Sequence, residues 1–373
     1  MSGRSLGLRQ VVVALDWTPN TNHVGIFAAA SKGLYARAGL AVEVVSADDA
    51  RYSGSYVGGD GAPEAGGEYT TPCKLCAGGG AHFAMNSPEG VVNWNLRGDA
   101  PGSRLVAVAA LCSRNTSAIA ARKGVVSRPR DLDGRRYASY AARFEGRIVQ
   151  RLIQADGGKG EYEEVVSPML GLWNTVLADR DELAPGEQTD ATWVFTCWEG
   201  VDAEMRGDAG KLNYFRLEDF GIPYGYAPCL VATPETLAAD PALVRDFLRA
   251  TAEGYEWAAA NPQAAAKVLV SQAKELCGFG GLQEPMCALS MERLAPALLD
   301  EDGCWGRMRA ERWEAYLDWL HDEKLLTRLT NSRAPVAGQS ASLDDLRAGG
   351  GREGDVVGRD EIPASRVYTN AYF

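Results

Sequence analysis

The sequence contains no run of 18 or more apolar residues, so it offers no segment that could form a transmembrane helix. It also lacks any block of basic residues: 38 lysines and arginines face 49 aspartates and glutamates, which gives a formal net charge of −11. A nucleic-acid-binding protein needs a positively charged surface, and an anionic membrane attracts the same kind of surface. The composition therefore argues against nucleic acid as a partner and against membrane insertion.

The N-terminal segment, residues 1–10, lacks the apolar stretch of a secretory signal peptide. We therefore expect a cytoplasmic protein, and keep a trimmed targeting segment as the alternative. Because cytoplasmic thiols stay reduced, the eight cysteines are expected to be free rather than paired in disulfides.

The sequence also lacks the complete motifs of several catalytic chemistries. Cys73 and Cys76 lie two residues apart with His82 nearby, but the second cysteine pair of a zinc site is missing, so we expect no metal. The glycines of Ala77–Gly80 come without the lysine of a phosphate-binding loop and are expected to end a helix. None of the three histidines lies in the local signature of a Ser–His–Asp triad.

What the sequence does contain is the alternation of short apolar strands and helices that is typical of α/β folds. Val11–Leu15 predicts a buried strand, Gly25–Lys32 a helix and Gly39–Val45 a second strand, which together indicate an α/β unit with a parallel sheet. The same pattern predicts further strands at His82–Met85, Leu105–Leu111, Arg136–Tyr140, Tyr162–Val166 and Thr192–Phe195.

Later in the chain, helices are predicted from their first residues. Asp240–Pro241 and Asn261–Pro262 each place a capping residue before a proline, which is typical of a helix start. A last long helix carries an apolar stripe made of Trp313, Tyr316, Leu317 and Leu320.

The order of these elements predicts two lobes, the second nested inside the first. The predicted division is 9–113 for the first part of lobe I, 114–229 for lobe II, 230–330 for the return of lobe I with the C-terminal helices, 331–366 for a flexible linker and 367–373 for a tail that docks on the body. Two lobes with a cleft between them form a natural ligand site.

Two further features follow from this division. The chain crosses between the lobes near Ser113–Ser117 and Ala227–Val231, where we expect the hinge. Residues 54–67 hold six glycines and predict a flexible insertion loop.

A set of short motifs is spread along most of the chain. They are Leu15–His23 (LDWTPNTNH), Gly25–Ala28, Lys32–Tyr35, Ser87–Glu89, Arg114–Ser117, Asp131–Gly134, Phe195–Gly200 with Glu204, and Tyr368–Asn370. This ordered set resembles the SsuA/THI5-like (NMT1) family, in its pyrimidine-handling branch. The resemblance implies an α/β, two-lobed, type II periplasmic-binding-protein-like fold with a ligand cleft between the lobes.

The resemblance implies one of two functions. One kind of member binds formylaminopyrimidine, a thiamine breakdown product, for salvage. The other is a 4-amino-5-hydroxymethyl-2-methylpyrimidine phosphate synthase, which uses pyridoxal phosphate on a lysine, one of its histidines, iron and a cysteine-rich loop. The lysine and histidine positions correspond here to Asn86 and Gly90, and the loop to Phe220–Val231, which holds one cysteine. Without an amine no Schiff base to pyridoxal forms.

We therefore expect a protein that binds a small aminopyrimidine of the formylaminopyrimidine or hydroxymethylpyrimidine type, without a cofactor, for thiamine pyrimidine salvage or biosynthesis. The synthase-like enzyme, with pyridoxal phosphate and iron, is the alternative. A sensor that reports the pyrimidine to a partner protein, and a homodimer, are kept as further alternatives.

A planar aminopyrimidine needs aromatic faces to stack on and polar groups at its edge. Asp16 and Trp17 follow a predicted strand end, where ligands approach α/β sheets, so we expect both in the site. The alternatives are a turn cap for Asp16 and core packing for Trp17. Asn20 and His23 share the motif and join the candidates, with a turn residue and a structural histidine as alternatives.

The second lobe supplies the opposite wall of the predicted site. Tyr140, Phe144 and Glu145 precede a predicted helix, whose first N–H groups suit a polar ligand group. Trp198 and Glu199 follow a strand end and could close over the ligand, against the alternative of a core tryptophan with an exposed glutamate. The predicted ligand-binding set is completed by Ser87, Glu89, Asn115 and Tyr226.

Overall fold

The computed structural model describes residues 7–46, 49, 51, 71–96, 100–139, 144–166, 175–179, 181, 183, 188–327 and 356–373. The predicted insertion loop at 54–67, Tyr140 and residues 331–355 of the predicted linker lie outside the described residues. Within the described part, no helix is long and apolar enough to cross a membrane.

The first sheet contains five of the described strands: β1 (Arg9–Ala14), β2 (Leu40–Val45), β3 (Phe83–Asn86), β4 (Val106–Ala110) and β10 (Cys229–Ala232). Their spatial order is β2-β1-β3-β10-β4. Strand β1 runs parallel to β2 and β3, whereas β10 runs antiparallel to both β3 and β4.

The second sheet contains β5 (Ser117–Arg122), β6 (Arg136–Ser139), β7 (Glu163–Val166), β8 (Ala191–Phe195) and β9 (Leu212–Phe215). Their order is β7-β6-β8-β5-β9. Strand β6 runs parallel to β7 and β8, and β5 runs antiparallel to β8 and β9.

Twelve described helices accompany the sheets: α1 (Val24–Ser31), α2 (Leu34–Arg37), α3 (Pro72–Ala77), α4 (Pro88–Asn95), α5 (Glu145–Ala155), α6 (Glu199–Met205), α7 (Pro234–Ala239), α8 (Pro241–Ala260), α9 (Pro262–Cys277), α10 (Glu284–Leu298), α11 (Ala310–Asp322) and α12 (Ala364–Val367). Two sheets with their helices form two lobes, so the expected two-lobed α/β fold is confirmed.

The predicted parallel pairing of the first two strands is confirmed, and each sheet also contains antiparallel strands. The chain passes from β4 to β5 and from β9 back to β10 without a helix that crosses over a sheet. A strand that enters a sheet directly from the neighbouring lobe runs against the strands that lead out of it. The predicted hinge segments lie at these two crossings, and the lobe boundaries and the hinge motion stay predictions.

The core of the first lobe forms where the apolar face of α8 packs on the sheet. The ring of Phe247 stacks on Phe83 with centroids 4.4 Å apart and on Tyr35 with centroids 5.6 Å apart. Val244, Phe247 and Leu248 are fully buried, as the helical spacing predicts.

Local capping explains where several helices begin. Thr71 accepts a hydrogen bond from the backbone N–H of Lys74 at 3.2 Å, and Asp240 accepts one from Leu243 at 2.9 Å. The capping role expected of Asn261 is wrong, because its side-chain amide instead donates to a carbonyl oxygen of the preceding helix at 2.9 Å.

The end of the predicted linker is ordered rather than flexible. Residues 359–361 form a turn of 3₁₀-helix, followed by α12, and Arg359 forms ion pairs with Glu314 and Asp318 on α11. These charge pairs hold residues 356–366 on the body although their composition is typical of a linker. The tail that follows donates a backbone hydrogen bond from Thr369 to Ala107 at the edge of the first sheet.

Helices α1 and α8 approach each other through two glycines. A Cβ atom added at Gly254 would lie 2.2 Å from the carbonyl oxygen of Gly25 and 2.9 Å from the backbone nitrogen of Ala29. These neighbours are backbone atoms, which cannot move aside as a side chain does. The close approach therefore requires glycine at this position.

We expect Gly254→Ala to destabilise the protein by about 2–3 kcal/mol, because the methyl group forces the two helices apart. Gly210→Ala is the matched control, since a Cβ there meets nothing within 4 Å. The control should change the free energy of unfolding by less than about 0.5 kcal/mol. Chemical denaturation measures both, and equal midpoints for the two variants would contradict the packing argument.

Candidate functional site

The end of strand β1 delivers two candidate residues to the cleft. Asp16 and Trp17 follow Leu15 directly and are half-buried, and the Asp16 side chain keeps 34% of its surface exposed. A carboxylate and an indole that are neither fully buried nor fully exposed at a strand end are positioned to meet a ligand.

His23 orients Asp16. The Nδ1 atom of His23 accepts a hydrogen bond from the backbone N–H of Asn20 at 3.2 Å, so the ring proton lies on Nε2. Nε2 lies 2.8 Å from Oδ1 of Asp16 and donates to it. Because His23 is fully buried, we assign it to positioning Asp16 rather than to direct ligand contact.

Asn20 is used within the same turn. Its Oδ1 accepts the backbone N–H of Asn22 at 2.9 Å, and its Nδ2 donates to the carbonyl oxygen of Thr18 at 3.0 Å. The side chain thus shapes the loop that follows Trp17, as the turn alternative for this residue predicts.

The start of helix α4 brings Ser87 and Glu89 to the same cleft. Ser87 caps the helix, since its Oγ accepts the backbone N–H of Gly90 at 3.1 Å. Glu89 is only 6% exposed, and its Oε1 accepts the hydroxyl hydrogen of Tyr224 at 3.2 Å. Among the described residues, Oε2 of Glu89 has no hydrogen-bond partner.

Asn86 and Gly90 face each other beside this capping residue. A Cβ atom added at Gly90 would lie 2.1 Å from Oδ1 of Asn86, so the amide occupies the space above the glycine. Oδ1 also accepts the backbone N–H of Ser87 at 2.9 Å. Neither side chain supplies an amine or an imidazole at this point of the cleft.

Helix α5 of the second lobe begins opposite α4. Its first residue, Glu145, is 2% exposed and accepts the hydroxyl hydrogen of Tyr137 at 2.8 Å. Phe144, just before it, is fully buried in the hydrophobic core, which places its ring in packing rather than on an open cleft wall. Tyr140, predicted from the same loop, lies outside the described residues.

Glu89 and Glu145 influence each other across the cleft. Burial, and to a smaller degree the charge of Glu145, raise the pKa of Glu89 to about 7. Near neutral pH the Glu89 carboxyl is therefore close to half protonated and can either donate or accept a hydrogen bond.

The turn after β8 carries Trp198 and Glu199. Oε2 of Glu199 accepts the backbone N–H of Phe195 at 2.8 Å, the side chain is 5% exposed, and burial raises its pKa to about 7. Trp198 is half-buried and packs on the core of the first lobe. The alternative of an exposed Glu199 is therefore wrong.

This turn also joins the two lobes. The hydroxyl of Ser290 on α10 donates to the carbonyl oxygen of Cys197 at 2.5 Å, and Thr21 shares a hydrogen bond of 2.7 Å with the same serine. The contact holds the Trp198 turn of the second lobe beside the loop that carries Trp17. The loops that carry the two tryptophans are therefore linked through Ser290.

Asn115 and Tyr226 have their polar groups engaged elsewhere. Oδ1 of Asn115 accepts the backbone N–H of Ser117 at 3.0 Å, which shapes the crossing between the lobes. The hydroxyl of Tyr226 accepts the backbone N–H of Arg309 at 2.7 Å. Both side chains therefore stabilise the segments near the points where the chain crosses between the lobes.

The aromatic residues around Glu89 were not among the predicted site residues. Tyr224 contacts Trp193 and Tyr316 edge-on, with ring centroids 5.4 Å and 5.8 Å apart. Tyr316 belongs to the predicted apolar stripe of α11, and that burial is confirmed. A tyrosine within an apolar stripe is the available signal, because a buried hydroxyl needs a polar neighbour.

Cys73 and Cys76 are buried and pack beside strand β3. The thiol of Cys73 donates to the carbonyl oxygen of Met85 at 3.9 Å, and that of Cys76 donates to His82 at 3.7 Å. Burial raises the pKa of Cys76 to about 12, so the thiol stays protonated.

Comparison with known proteins agrees with this architecture. The sequence model of the family described as NMT1/THI5 like matches residues 62–265. A curated formylaminopyrimidine-binding protein of Halalkalibacterium halodurans is 24% identical over 317 residues, which cover 84% of this chain and 86% of that protein.

Solved structures share the fold at lower identity. A protein from Bordetella bronchiseptica RB50 is 17% identical, with a TM-score of 0.62 over 99% of this chain and 97% of the other. The periplasmic aliphatic sulphonate binding protein SsuA of Escherichia coli is 12% identical, with a TM-score of 0.57 over 85% of this chain and 93% of the other. These likenesses establish the fold.

We expect Glu199→Gln to remove part of the pH dependence of stability. The folded protein holds the Glu199 proton up to about pH 7, above the ordinary range of a glutamate, so this stabilisation is complete in acid and is lost as the pH rises through 7. The free energy of unfolding of the variant, measured relative to that of the unchanged protein, should rise by up to about 3 kcal/mol between pH 4.5 and 8.

Glu235→Gln is the matched control, because Glu235 also lies in the first turn of a helix but is exposed. The control should follow the unchanged protein at every pH. Denaturation curves across this range measure the effect, and parallel pH profiles for both variants would contradict it.

Proposed function

Because the chain belongs to the NMT1/THI5-like family, we propose that the cleft between its lobes binds an aminopyrimidine of the formylaminopyrimidine or hydroxymethylpyrimidine type, without transforming it. The name of the Halalkalibacterium relative supports this ligand class. A role in thiamine pyrimidine salvage or biosynthesis is part of the proposal.

One observation carries the proposal: Glu89 of the first lobe is buried against the start of helix α5 of the second lobe. Glu89 comes from the first lobe, and Glu145 and Glu199 come from the second. A carboxylate accepts hydrogen bonds, and an aminopyrimidine offers N–H groups at its edge. The polar groups of the cleft thus complement an amino-substituted ring.

The tryptophans supply the complement for the faces of that ring. Trp17 follows a strand of the first lobe, and Trp198 follows a strand of the second. Stacking of a base on an aromatic side chain contributes about 1–3 kcal/mol. A ring held by side chains of both lobes is bound most tightly when the lobes are closed, so we propose hinge closure on binding.

The same carboxyl groups disfavour an anionic ligand. The N-terminus of a helix is ordinarily a good anion site, but Glu89 and Glu145 occupy the first turns of α4 and α5. A sulfonate placed there would meet the negative charge that this pair carries when either carboxyl group is ionised, and like charges in a desolvated site repel strongly. The charge of the cleft therefore favours the aminopyrimidine over the aliphatic sulphonate in the name of the Escherichia coli protein.

The side chains beside Ser87 favour binding over synthase chemistry. A lysine amine is required for a Schiff base, and Asn86 packed on Gly90 provides none at the matching positions. Purified protein should therefore show neither pyridoxal absorbance nor bound iron, and its gene should rescue a pyrimidine auxotroph only when a precursor is supplied. Rescue without a precursor would support the enzyme instead.

Calorimetric titration tests the ligand class directly. We expect binding of formylaminopyrimidine or hydroxymethylpyrimidine, and none of an alkanesulfonate, because the buried carboxyl groups repel an anion. Hydroxymethylpyrimidine phosphate, thiamine and pyridoxal phosphate complete the series. Binding of the sulfonate with no aminopyrimidine bound would overturn the proposal.

We expect Trp17→Ala to weaken aminopyrimidine binding about ten-fold to a hundred-fold, which corresponds to the loss of one stacking contact. Trp257→Ala is the matched control, because Trp257 is also half-buried but lies on α8 under the Lys32 ammonium group. Affinity and melting temperature are measured for both variants. Unchanged affinity in a folded Trp17→Ala protein would remove Trp17 from the site.

A further inference from the structure

Glu89 and Glu145 form a pair of buried carboxyl groups that bridges the cleft. Glu89 is the second residue of α4 in the first lobe, and Glu145 is the first residue of α5 in the second lobe. Each accepts one hydrogen bond from a tyrosine: Tyr224 for Glu89 and Tyr137 for Glu145. Two carboxyl groups this close to each other and out of water do not both ionise easily.

The described groups that face Glu89 include no cation. They are the Glu145 carboxyl on α5, the Tyr224 hydroxyl before β10, the Tyr316 hydroxyl on α11 and the backbone N–H of Phe144. A buried carboxylate without a cation is neutralised by a proton or by a ligand. As far as the described residues are concerned, Glu89 therefore depends on one of these two.

Two buried polar atoms of the cluster around Tyr224 lack hydrogen-bond partners within the described residues. Among the described residues, neither Oε2 of Glu89 nor the hydroxyl of Tyr316 has a hydrogen-bond partner. Both belong to one cluster, since Tyr224 donates to Glu89 and its ring packs edge-on against that of Tyr316. Buried polar atoms in native proteins normally have partners, so this corner of the cleft has hydrogen-bonding capacity for a ligand.

We propose that Glu89 determines specificity by forming two hydrogen bonds with the edge of a neutral aminopyrimidine, one of them donated by the protonated carboxyl group. Protonated Oε2 donates to a ring nitrogen, and Oε1 accepts from the adjacent exocyclic amine. This inference rests on the proposed function and adds to it the recognising group and its protonation state. Tyr224 acts as a positioning residue, because its hydroxyl holds Oε1 in place.

The protonation state sets the pH dependence. The pKa of Glu89 is raised to about 7, so below pH 7 the carboxyl already carries the proton that the complex needs. Above pH 7 the proton must be taken up from the buffer when the ligand binds. Affinity should then fall about ten-fold for each pH unit, as expected for one linked proton.

Titration calorimetry with 4-amino-5-hydroxymethyl-2-methylpyrimidine between pH 6 and 9 tests the inference. At pH 8, titrations in buffers of different ionisation enthalpy should show close to one proton taken up per ligand. The analogue without the 4-amino group should bind weakly at every pH, because it cannot donate to Oε1.

Glu89→Gln is the decisive variant. Its amide donates to the ring nitrogen and accepts from the amine without any titration, so binding should persist and lose its pH dependence above pH 7. Glu89→Ala removes both hydrogen bonds and should weaken binding about ten-fold to a hundred-fold at pH 6. Melting curves confirm that each variant is folded.

Two neighbouring substitutions move the pH profile in opposite directions. Glu145→Gln removes a charge that raises the pKa of Glu89, so the loss of affinity should begin at lower pH. Tyr224→Phe removes a hydrogen bond that lowers this pKa, so the loss should begin at higher pH. A purely structural role of either residue would not shift the profile.

The outcomes separate this inference from the function on which it rests. An aminopyrimidine that binds to the unchanged protein and to Glu89→Gln with the same pH profile overturns the role of Glu89 and leaves the proposed function standing. Absence of aminopyrimidine binding to the unchanged protein at pH 6 overturns both.

Discussion

Burying carboxyl groups between two lobes is unfavourable unless each finds a partner, and the cleft is organised around that constraint. Glu199 is stabilised by a backbone N–H, Glu145 by a tyrosine hydroxyl, and Glu89 by a tyrosine hydroxyl and the backbone N–H of Phe144. Each glutamate also lies at the start of a helix, where the dipole favours negative charge. Because burial still raises the pKa of Glu89, the protonation state of this group responds to its surroundings in the cleft.

Features fixed by neighbouring residues could be predicted from the sequence. Thr71, Ser87 and Asp240 each precede a proline, and each accepts the backbone hydrogen bond that this pattern predicts. The position of Asp16 and Trp17 after the first strand followed from the same kind of local reasoning, because a buried strand must end where the polar residues begin. The two-lobed fold followed from the ordered motifs together with this alternation.

Contacts between distant residues could not be predicted in this way. Tyr224 reaches Glu89 across 135 positions of sequence, and no periodicity reports such a pair. Tyr316 is a second example. Its helical spacing predicts that the side chain is buried but does not predict the partner of its hydroxyl. The antiparallel direction of strands β5 and β10 could not be predicted, because each enters its sheet from the other lobe without a helix that would reveal its direction.

The choice of ligand in this architecture depends on a few side chains rather than on the fold. The first turns of α4 and α5 present backbone N–H groups toward the cleft, and bare helix starts of this kind favour an anion. The carboxyl group of a glutamate in each first turn occupies this favourable field itself. The ligand then meets a hydrogen-bond acceptor where a bare helix start would offer N–H donors. Raising the pKa of one of the two to about 7 then lets the same group donate as well, which suits a ring that presents an acceptor nitrogen beside an amine. The proposed preference for a neutral amino-substituted heterocycle thus depends on the two glutamates at these helix starts.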